Sequence, residues 1–510
     1  MSLQYSKDDI ERVNNGASYN RYTLNDEDDD LLPKPAHGSQ VHPVQPSNKY
    51  AMYINLMVLT VFLQSIGFTV MMPSMFDYLK YIDPSFGQYN GWIIACYSAG
   101  QFIASPLFGW WSNRRPTREP LVISIVISMI GNILYAVCYL FGSKAVFIMA
   151  VARFIVGFGA GNVSVCRAFA SEKSDISNKT TTMGKMSGAQ GVGFVLGPGI
   201  GFLMAYLHAQ KGQFLFNQYT APAYLSVVTA AFNILILLIK FDPPREDKKS
   251  AGEETKPLLG GDVEEDGASV GTPIKKAHNE TLPIFVSIYL FAVVISIFAV
   301  FETILTEMTA KDYNWQVKAN GFILGGTGIL SVAVFIIIAM PFIKKIDDRK
   351  TALFGFLSLF IALLLLANYG APFHWENSLP KWQFFLGSVF VSIGYPIASS
   401  LIYAIFSKVL NPKLQGTKMG WLTAGGSLAR MLGPIWAQSI WNYKADTSPT
   451  LGGEVLFFTT AGIALSGFVV LLAFYRKLSP HPDYVVPILQ QKPPTSTPTT
   501  PTTTATETSH

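Results

Sequence analysis

The chain has 510 residues, of which half are hydrophobic and only 14% are charged, and its formal net charge at pH 7 is +5. Because soluble domains carry about 25% charged residues, this composition excludes an ordinary water-soluble protein and predicts a membrane protein. Many of the Lys and Arg residues lie in loops, where they orient a membrane protein. We therefore expect the lipid bilayer as a partner and no nucleic acid.

Twelve continuous apolar runs follow the N-terminal segment. A membrane-spanning helix needs about 20 apolar residues, whereas the strands of a membrane β-barrel alternate over about ten residues. The sequence therefore predicts an all-α polytopic membrane protein with twelve transmembrane helices in two six-helix halves. The predicted spans are 50–79, 89–111, 120–141, 145–170, 185–208, 222–241, 283–308, 320–343, 351–370, 383–408, 418–440 and 452–476.

Polar segments divide these runs into a predicted domain layout. A polar tail over 1–48 precedes the first half over 49–241, a charged linker loop over 242–282 precedes the second half over 283–476, and a Pro/Thr-rich tail over 477–510 ends the chain. The composition of both tails predicts disorder. Lys and Arg are concentrated in the loops after the even-numbered spans, so we expect those loops, the linker and both tails to be cytosolic.

No motif of an enzyme or of a cofactor site accompanies the spans. The sequence has no Walker sequence, no Gly-rich strand-to-helix turn, and no Ser/His/Asp or metal-ligand spacing. Cys96, Cys138 and Cys166 stand inside apolar runs and are interpreted as buried small residues. We therefore expect neither an enzyme nor a bound metal or cofactor.

The two halves carry similar strings in the same order. NGWII at 90–94 is similar to NGFIL at 320–324, and the pattern of MG followed by LGP at 183–198 returns at 419–434. The two pairs have nearly the same offset, so span n resembles span n+6. Parallel repeats of this kind are typical of transporters that move one half against the other.

Three motifs carry a resemblance to a known family. Residues 109–118 (GWWSNRRPTR) resemble the loop 2–3 signature of the major facilitator superfamily, and they retain its Arg114 and Arg118. Asn113 stands where that signature usually has Asp, and Pro116 where it usually has Gly. The resemblance implies a gating role for Asn113, Arg114 and Arg118, although Asn113 cannot form the usual gating ion pair.

The other two motifs lie inside spans. Residues 153–161 resemble the span-four signature of proton-coupled members, and residues 193–201 resemble the span-five signature of antiporters. The latter contains Gly197 and Pro198, which Gly433 and Pro434 repeat in span eleven. Since a proline kinks a helix, we interpret both pairs as bending points of a transport cycle, with fixed packing geometry as the alternative.

A closer resemblance is to the ceroid-lipofuscinosis lysosomal branch of the same superfamily. It implies a lysosomal or late-endosomal membrane location and transport of a small solute, with chloride conduction described for the branch. The matching stretches are 91–106, 112–113, 119–121, 152–163, 301–304, 394–396 and 419–434.

Three charged residues stand deep inside predicted spans, where a charge costs a few kcal/mol and marks a functional site. Glu302 is interpreted as the proton-coupling group, and Arg153 and Arg430 as ligands of an anionic solute. The alternatives are a structural hydrogen bond or pairing with an arginine for Glu302, an interfacial position or the pinning of helix ends for Arg153, and a permanent interhelical salt bridge for Arg430. Gln64 and Asn162 belong to spans that line the cavity in the superfamily, so each is expected to bind solute or to join two helices.

Two acidic di-leucine patterns lie in the polar segments, on the side predicted to be cytosolic. Clathrin adaptor proteins read such patterns, so the protein is expected to reach lysosomes or late endosomes. The sorting residues are Glu27, Leu31 and Leu32 in the N-terminal tail and Glu254, Leu258 and Leu259 in the linker.

The preferred functional hypothesis is a secondary transporter of the endolysosomal membrane. It would move a small, anionic solute by alternating access with protons as the coupling ion. The alternative is a passive chloride or anion channel, in which the same arginines line a pore. A third reading, a scaffold that uses a transporter fold without transport, is disfavoured because a scaffold gains little from buried charges.

Overall fold

The computed structural model describes residues 50–83, 90–204, 208–211, 214–243, 280–315, 317–340, 343, 346–367, 379–412, 415–445 and 451–481. Within these ranges the chain is helical apart from one short β-hairpin and the connecting turns. The first group of helices is α1 (Ala51–Thr69), α2 (Met72–Ile82), α3 (Asn90–Arg114), α4 (Arg118–Val137), α5 (Ala145–Gly159), α6 (Asn162–Glu172), α7 (Ile176–Leu203) and α8 (Ala221–Lys240). The second group is α9 (Thr281–Tyr313), α10 (Val317–Ala339), α11 (Asp348–Leu366), α12 (Lys381–Val409), α13 (Gly416–Ala445) and α14 (Leu451–Ala473).

Each of the twelve predicted spans falls on one helix or on a pair of helices. Spans one and four are divided, into α1 and α2 and into α5 and α6. Pro73 lies at the start of α2, where a proline is accommodated because the first residues of a helix have no acceptor for their N–H groups. Ala160 and Gly161 separate α5 from α6. The apolar pattern runs through both breaks, so the sequence did not reveal them.

A β-hairpin joins α7 to α8 and differs from the prediction. Strand β1 (His208–Lys211) pairs antiparallel with β2 (Phe214–Asn217), with His208 opposite Asn217. Span five was predicted to continue to residue 208, but α7 ends at Leu203. His208, the last residue of the predicted span, instead begins β1.

The helices fall into two classes by composition. Among the described residues, seven segments are long and apolar enough to cross a membrane, and one of them, Arg118–Glu172, contains two predicted spans. The second and fifth spans of each half lie outside this set: α3, α7 and α13 are less apolar, whereas α10 is apolar over the shorter range Gly325–Ala339. These helices make the main contacts between the halves, α3 with α13 and α7 with α10. Their polar and small residues therefore face protein rather than lipid.

Glycines allow these helices to approach closely. A Cβ at Gly109 in α3 would collide with the backbone at Gly416 in α13, and a Cβ at Gly420 would collide with the backbone of Ser105 and Pro106. On the other side, a Cβ at Gly184 in α7 would press against α10. The halves therefore meet along two seams in which backbone lies against backbone.

Candidate functional site

A cavity lies between the two halves and is lined by α1, α3, α6 and α7 from the first and by α9, α10, α12 and α13 from the second. Much of its wall is aromatic, which offers flat apolar surface to a bound molecule. The aromatic side chains are Phe68, Tyr97, Phe194, Phe291, Phe335, Tyr395 and Tyr403.

Arg430, predicted to bind an anionic solute, lines this cavity from α13. Its side chain is half-buried. The guanidinium carbon lies 5.4 Å from the ring centre of Phe194 and 5.9 Å from that of Phe68. Both rings belong to the first half, so this arginine of the second half reaches across the cavity.

Glu302, the predicted proton-coupling residue, borders the same space. It follows Phe291, Ile295 and Phe298 along one face of α9, since residues three and four apart share a helix face. The first two of these line the cavity, and Phe298 stacks on the cavity residue Tyr395 at a ring distance of 4.0 Å. The Glu302 side chain is exposed and interacts electrostatically with Arg430. Glu302 is not one of the lining residues, so these contacts put it beside Arg430 at the edge of the cavity, which we call its mouth.

The two predicted polar ligands have different positions. Gln64 lines the cavity from α1 and contacts Tyr97. Asn162 begins α6 and is fully buried, and it is not part of the cavity wall. Neither side-chain polar atom of Asn162 has a hydrogen-bond partner within the described ranges.

Arg153 lies behind the cavity wall rather than in it. It is fully buried, and its Nη1 donates to the sulfur of Met71 at 3.7 Å. Its guanidinium carbon lies 5.1 Å from the Tyr97 ring centre and 5.6 Å from that of Phe68. Arg153 and Arg430 therefore both lie near Phe68, but only Arg430 lines the cavity, contrary to the expectation that both would hold the solute. The reason is helix rotation, because Gly157, one turn after Arg153, packs against the α3 backbone at Tyr97.

Arg167 is a cavity residue that the sequence reasoning missed. It lines the cavity from α6 and is almost fully buried. Its Nη1 donates to Ser187 Oγ at 3.2 Å and its Nη2 to Gln190 Oε1 at 2.8 Å, both on α7. The guanidinium carbon lies 3.6 Å from the ring centre of Tyr403 in the second half. A charge inside predicted span 145–170 was the available signal, but it stands near the end of that span, where a charge is usually topological.

Polar contacts close one end of the cavity. We define the closed end as the ends of α3, α6 and α12 with the starts of α7, α11 and α13; the sequence predicts that it faces the cytosol. Lys179 is buried and donates from Nζ to the carbonyl of Ser407 in the other half at 3.0 Å. Thr180 donates to Asp348 across the halves at 3.0 Å, and Asp348 pairs with Lys408 at 2.6 Å. The sequence predicts only that basic residues of these loops orient the protein, and it does not indicate that they join the halves.

Asn113, the first residue predicted to take part in gating, contacts the other half, and its gating role stays a prediction. Its Oδ1 accepts the N–H of Gly416, and its Nδ2 donates to Thr417 Oγ1, both at 2.9 Å. Nearby, Glu172 accepts the N–H of Gln415 at 2.7 Å. Two side chains of the first half therefore satisfy backbone donors at the start of α13, where free N–H groups favour an acceptor.

The other predicted gating residues stay within their own half. Arg114 stacks over Trp110 with a centroid distance of 4.3 Å, and Arg118 donates to the carbonyl of Leu238 at 2.6 Å. These contacts connect α3 and α4 to their own half. Among the described contacts, Arg114 and Arg118 therefore make none that joins the two halves at the closed end.

The glycine–proline pairs lie within helices that remain continuous. Pro198 is inside α7 and Pro434 inside α13. A Cβ at Gly197 would collide with Thr69 of α1, and a Cβ at Gly433 would press against Ala299 of α9. Both glycines are therefore needed for close packing inside one half, and a bending role for the pairs stays a prediction. The six di-leucine residues predicted for sorting lie outside the described ranges.

The chain is similar to known proteins over most of its length. The family model described as Major Facilitator Superfamily matches residues 57–327 and, in a second match, residues 284–504. The chain is 32% identical to major facilitator superfamily domain-containing protein 8 of Xenopus laevis, over 90% of this chain and 98% of that protein.

Two solved structures share the fold. One is the human organic anion transporter MFSD10, with a TM-score of 0.61 and 18% identity over 84% of this chain and 99% of that one. The other is the proton:xylose symporter XylE, with a TM-score of 0.65 and 15% identity over 85% and 97% of the two chains. At these identities the likeness concerns the fold, and it confirms the predicted all-α membrane architecture.

Proposed function

Because this chain belongs to the major facilitator superfamily, a family of membrane transporters rather than enzymes, we propose that it moves a small anionic solute across the membrane by alternating access, coupled to protons. The observation that carries the proposal is Arg430, which lines a cavity between the halves with Glu302 at the mouth. A positive charge held at such a depth favours an anion as its partner.

The closed end supports alternating access over a continuous pore. Lys179, Thr180 and Asn113 each hydrogen-bond across the halves on one side of the cavity. Glu302, on the other side, is exposed. A cavity open toward one side and sealed toward the other is one of the two states that a transporter of this fold alternates between.

Glu302 couples protons in this proposal through its interaction with Arg430. When Glu302 is ionised, it competes with the solute for the guanidinium. When Glu302 takes up a proton, Arg430 is released to bind the anion, so proton and anion enter the site together. Arg153 contributes indirectly, since it supports Phe68 and Tyr97 from behind.

We further propose that the protein works in the lysosomal or late-endosomal membrane, with both termini cytosolic. Two features support this: the similarity to major facilitator superfamily domain-containing protein 8 and the two di-leucine patterns, which clathrin adaptors would read. The domain layout predicted from the sequence, with halves over 49–241 and 283–476, stays part of this proposal.

The test uses the full-length protein in proteoliposomes that contain a pH-sensitive dye. Benzenesulfonate, which stays ionised and crosses lipid poorly, is added outside under a pH gradient. We expect internal pH to change with the anion in wild type, no response in Arg430→Ala, and anion exchange without proton movement in Glu302→Gln. No anion-dependent response in wild type would contradict the proposal.

The alternative is a passive chloride channel using the same arginine. It is distinguished by patch-clamp of enlarged endolysosomes that carry the protein, with chloride and luminal pH varied. A large current that reverses at the chloride equilibrium potential, without proton flux, would replace the transporter with the channel.

A further inference from the structure

Arg167 is a buried cation whose described contacts are all neutral. Its hydrogen bonds go to a hydroxyl and an amide oxygen, and its remaining electrostatic contacts are Tyr403, Tyr395 and Cys166. A buried charge without an opposite charge is costly. This residue therefore has the electrostatic requirement of a site for an anion.

The guanidinium is also held in a fixed orientation with donors to spare. Arginine has five N–H groups, and Ser187 and Gln190 accept two of those on Arg167. Its Nε has no hydrogen-bond partner within the described ranges. Tyr403 covers one face of the guanidinium plane at 3.6 Å. The remaining N–H groups lie in the plane and suit the two oxygens of an acidic group.

Arg167 and Arg430 belong to one cavity but to different halves. Both line it, and both interact electrostatically with Tyr395, another residue of the wall. None of the lining residues is acidic, and the acid that contacts Arg430 is Glu302 at the mouth. With Glu302 protonated, the cavity presents two positive charges separated by aromatic surface.

We propose that the transported solute is an organic dianion with a flat apolar centre, whose two acidic groups are bound by Arg167 and Arg430. This inference rests on the proposed anion transport and specifies its substrate class. Chloride would pair with one arginine and leave the aromatic wall uncovered. A dianion satisfies both arginines and connects the two halves, so its binding favours the closure that precedes release on the other side.

The test compares matched probes on the purified full-length protein. Benzenesulfonate and meta-benzenedisulfonate have the same ring, carry one and two permanent charges, and do not titrate with pH. Thermal unfolding is followed while each is added. We expect wild type to be stabilised by the disulfonate at about tenfold lower concentration than by the monosulfonate, because one more charge-assisted contact forms.

Variants test the role of Arg167. Arg167→Gln should lose the tenfold preference while still responding to benzenesulfonate through Arg430. The double variant Ser187→Ala, Gln190→Ala keeps the charge but removes the support of the guanidinium, and it should weaken the preference severalfold even if Arg167→Gln fails to fold. Lys185→Gln, an exposed residue of the same helix α7, removes one charge outside the cavity and should behave as wild type.

The outcomes separate this inference from the proposed function. An equal response of wild type to both probes, or a preference that survives in Arg167→Gln and in the double variant, overturns the dianion while anion transport stands. If neither probe stabilises wild type and neither drives a pH change in proteoliposomes, anion transport itself fails.

Discussion

The closed end and the cavity are adjacent regions between the same two halves, and they treat buried charges differently. At the closed end Lys179 has two oxygen acceptors and interacts electrostatically with the acidic Glu172, and Asp348 has Lys408 as its ion-pair partner. In the cavity Arg167 has only neutral partners, and Arg430 has Glu302 in reach but no hydrogen-bonded acid within the described residues. The buried charges of the closed end are thus compensated within the protein, whereas the charges of the cavity are not. We therefore expect a ligand in the cavity rather than at the closed end.

The largest expected effect concerns the cavity, where the arginine charges are not compensated. Replacing Arg430 by Gln removes the charge that the anion needs, and losing a buried charge partner costs about 2–5 kcal/mol. We expect benzenesulfonate uptake into proteoliposomes to fall at least about thirtyfold. Lys144 is exposed and lies in the first half, far in sequence from Arg430. The variant Lys144→Gln is therefore the charge-matched control, and its benzenesulfonate uptake should be unchanged. Full uptake by the Arg430 variant would remove the contrast between the two regions.

The next effect concerns the closed end, where the buried charges are paired. Asp348→Asn removes the ion pair to Lys408 and weakens the acceptor of Thr180, so the closed end should separate more easily; breaking a buried pair costs about 3–5 kcal/mol. Spin labels at Ser177 and Lys350, both exposed and on opposite halves, should show a longer distance as the main population. An unchanged distance distribution would mean that the seal depends on the backbone seams alone.

A smaller effect concerns a charge cluster beside the closed end. Glu280 accepts from Lys418 and His481 and from the N–H of Asn411. Burial by itself would raise the pKa of Glu280, but these hydrogen bonds and charges outweigh it and lower the pKa to about 2, from 4.5. Its stabilising contribution is therefore fully present above pH 4.5 and is lost as the pH falls toward 2.

This pH dependence gives a measurable difference between wild type and Glu280→Gln. The variant should melt a few degrees lower at pH 7, and the difference should shrink as the pH falls through 4.5 toward 2. Thermal melts of both proteins over that range check the sign. A difference that grows on acidification would show that the cluster is not held by an ionised Glu280.

The smallest effect sharpens the description of the seal. Asn113→Asp places a negative charge at the start of α13, where it interacts favourably with the helix dipole by about 0.3–1 kcal/mol. The closed end should become more stable and turnover a fewfold slower, with binding of benzenesulfonate unchanged. Faster turnover would show that the hydrogen bond from Nδ2 to Thr417 matters more than the added charge.

Hydropathy predicted the helices well because each needs a long apolar run, whatever its neighbours are. It did not predict the breaks after Thr69 and after Gly159, because the apolar pattern continues through both of them. For the site, depth in a span selected Arg430, which lines the cavity, and Glu302, which interacts electrostatically with Arg430. The roles of both residues stay predictions.

The position of a residue along a predicted span does not indicate which way its helix face is turned. Arg153 is as deep as its motif suggests, but its face is turned toward α3, and Arg167 is nearer the end of its span yet is turned toward the cavity. The seal was missed for a different reason. The contact between Lys179 and Ser407 joins residues far apart in the sequence, and nothing local in either segment indicates the other.

The seams between the halves also affect how the protein is made. Helices α3, α7 and α13 carry the small and polar residues that fit these seams, and none of them reaches the apolarity of the seven segments described above. The translocon releases helices into lipid according to their apolarity. These three helices therefore depend on neighbouring helices for insertion, and polar substitutions in them would reduce the amount of protein before they affect its transport.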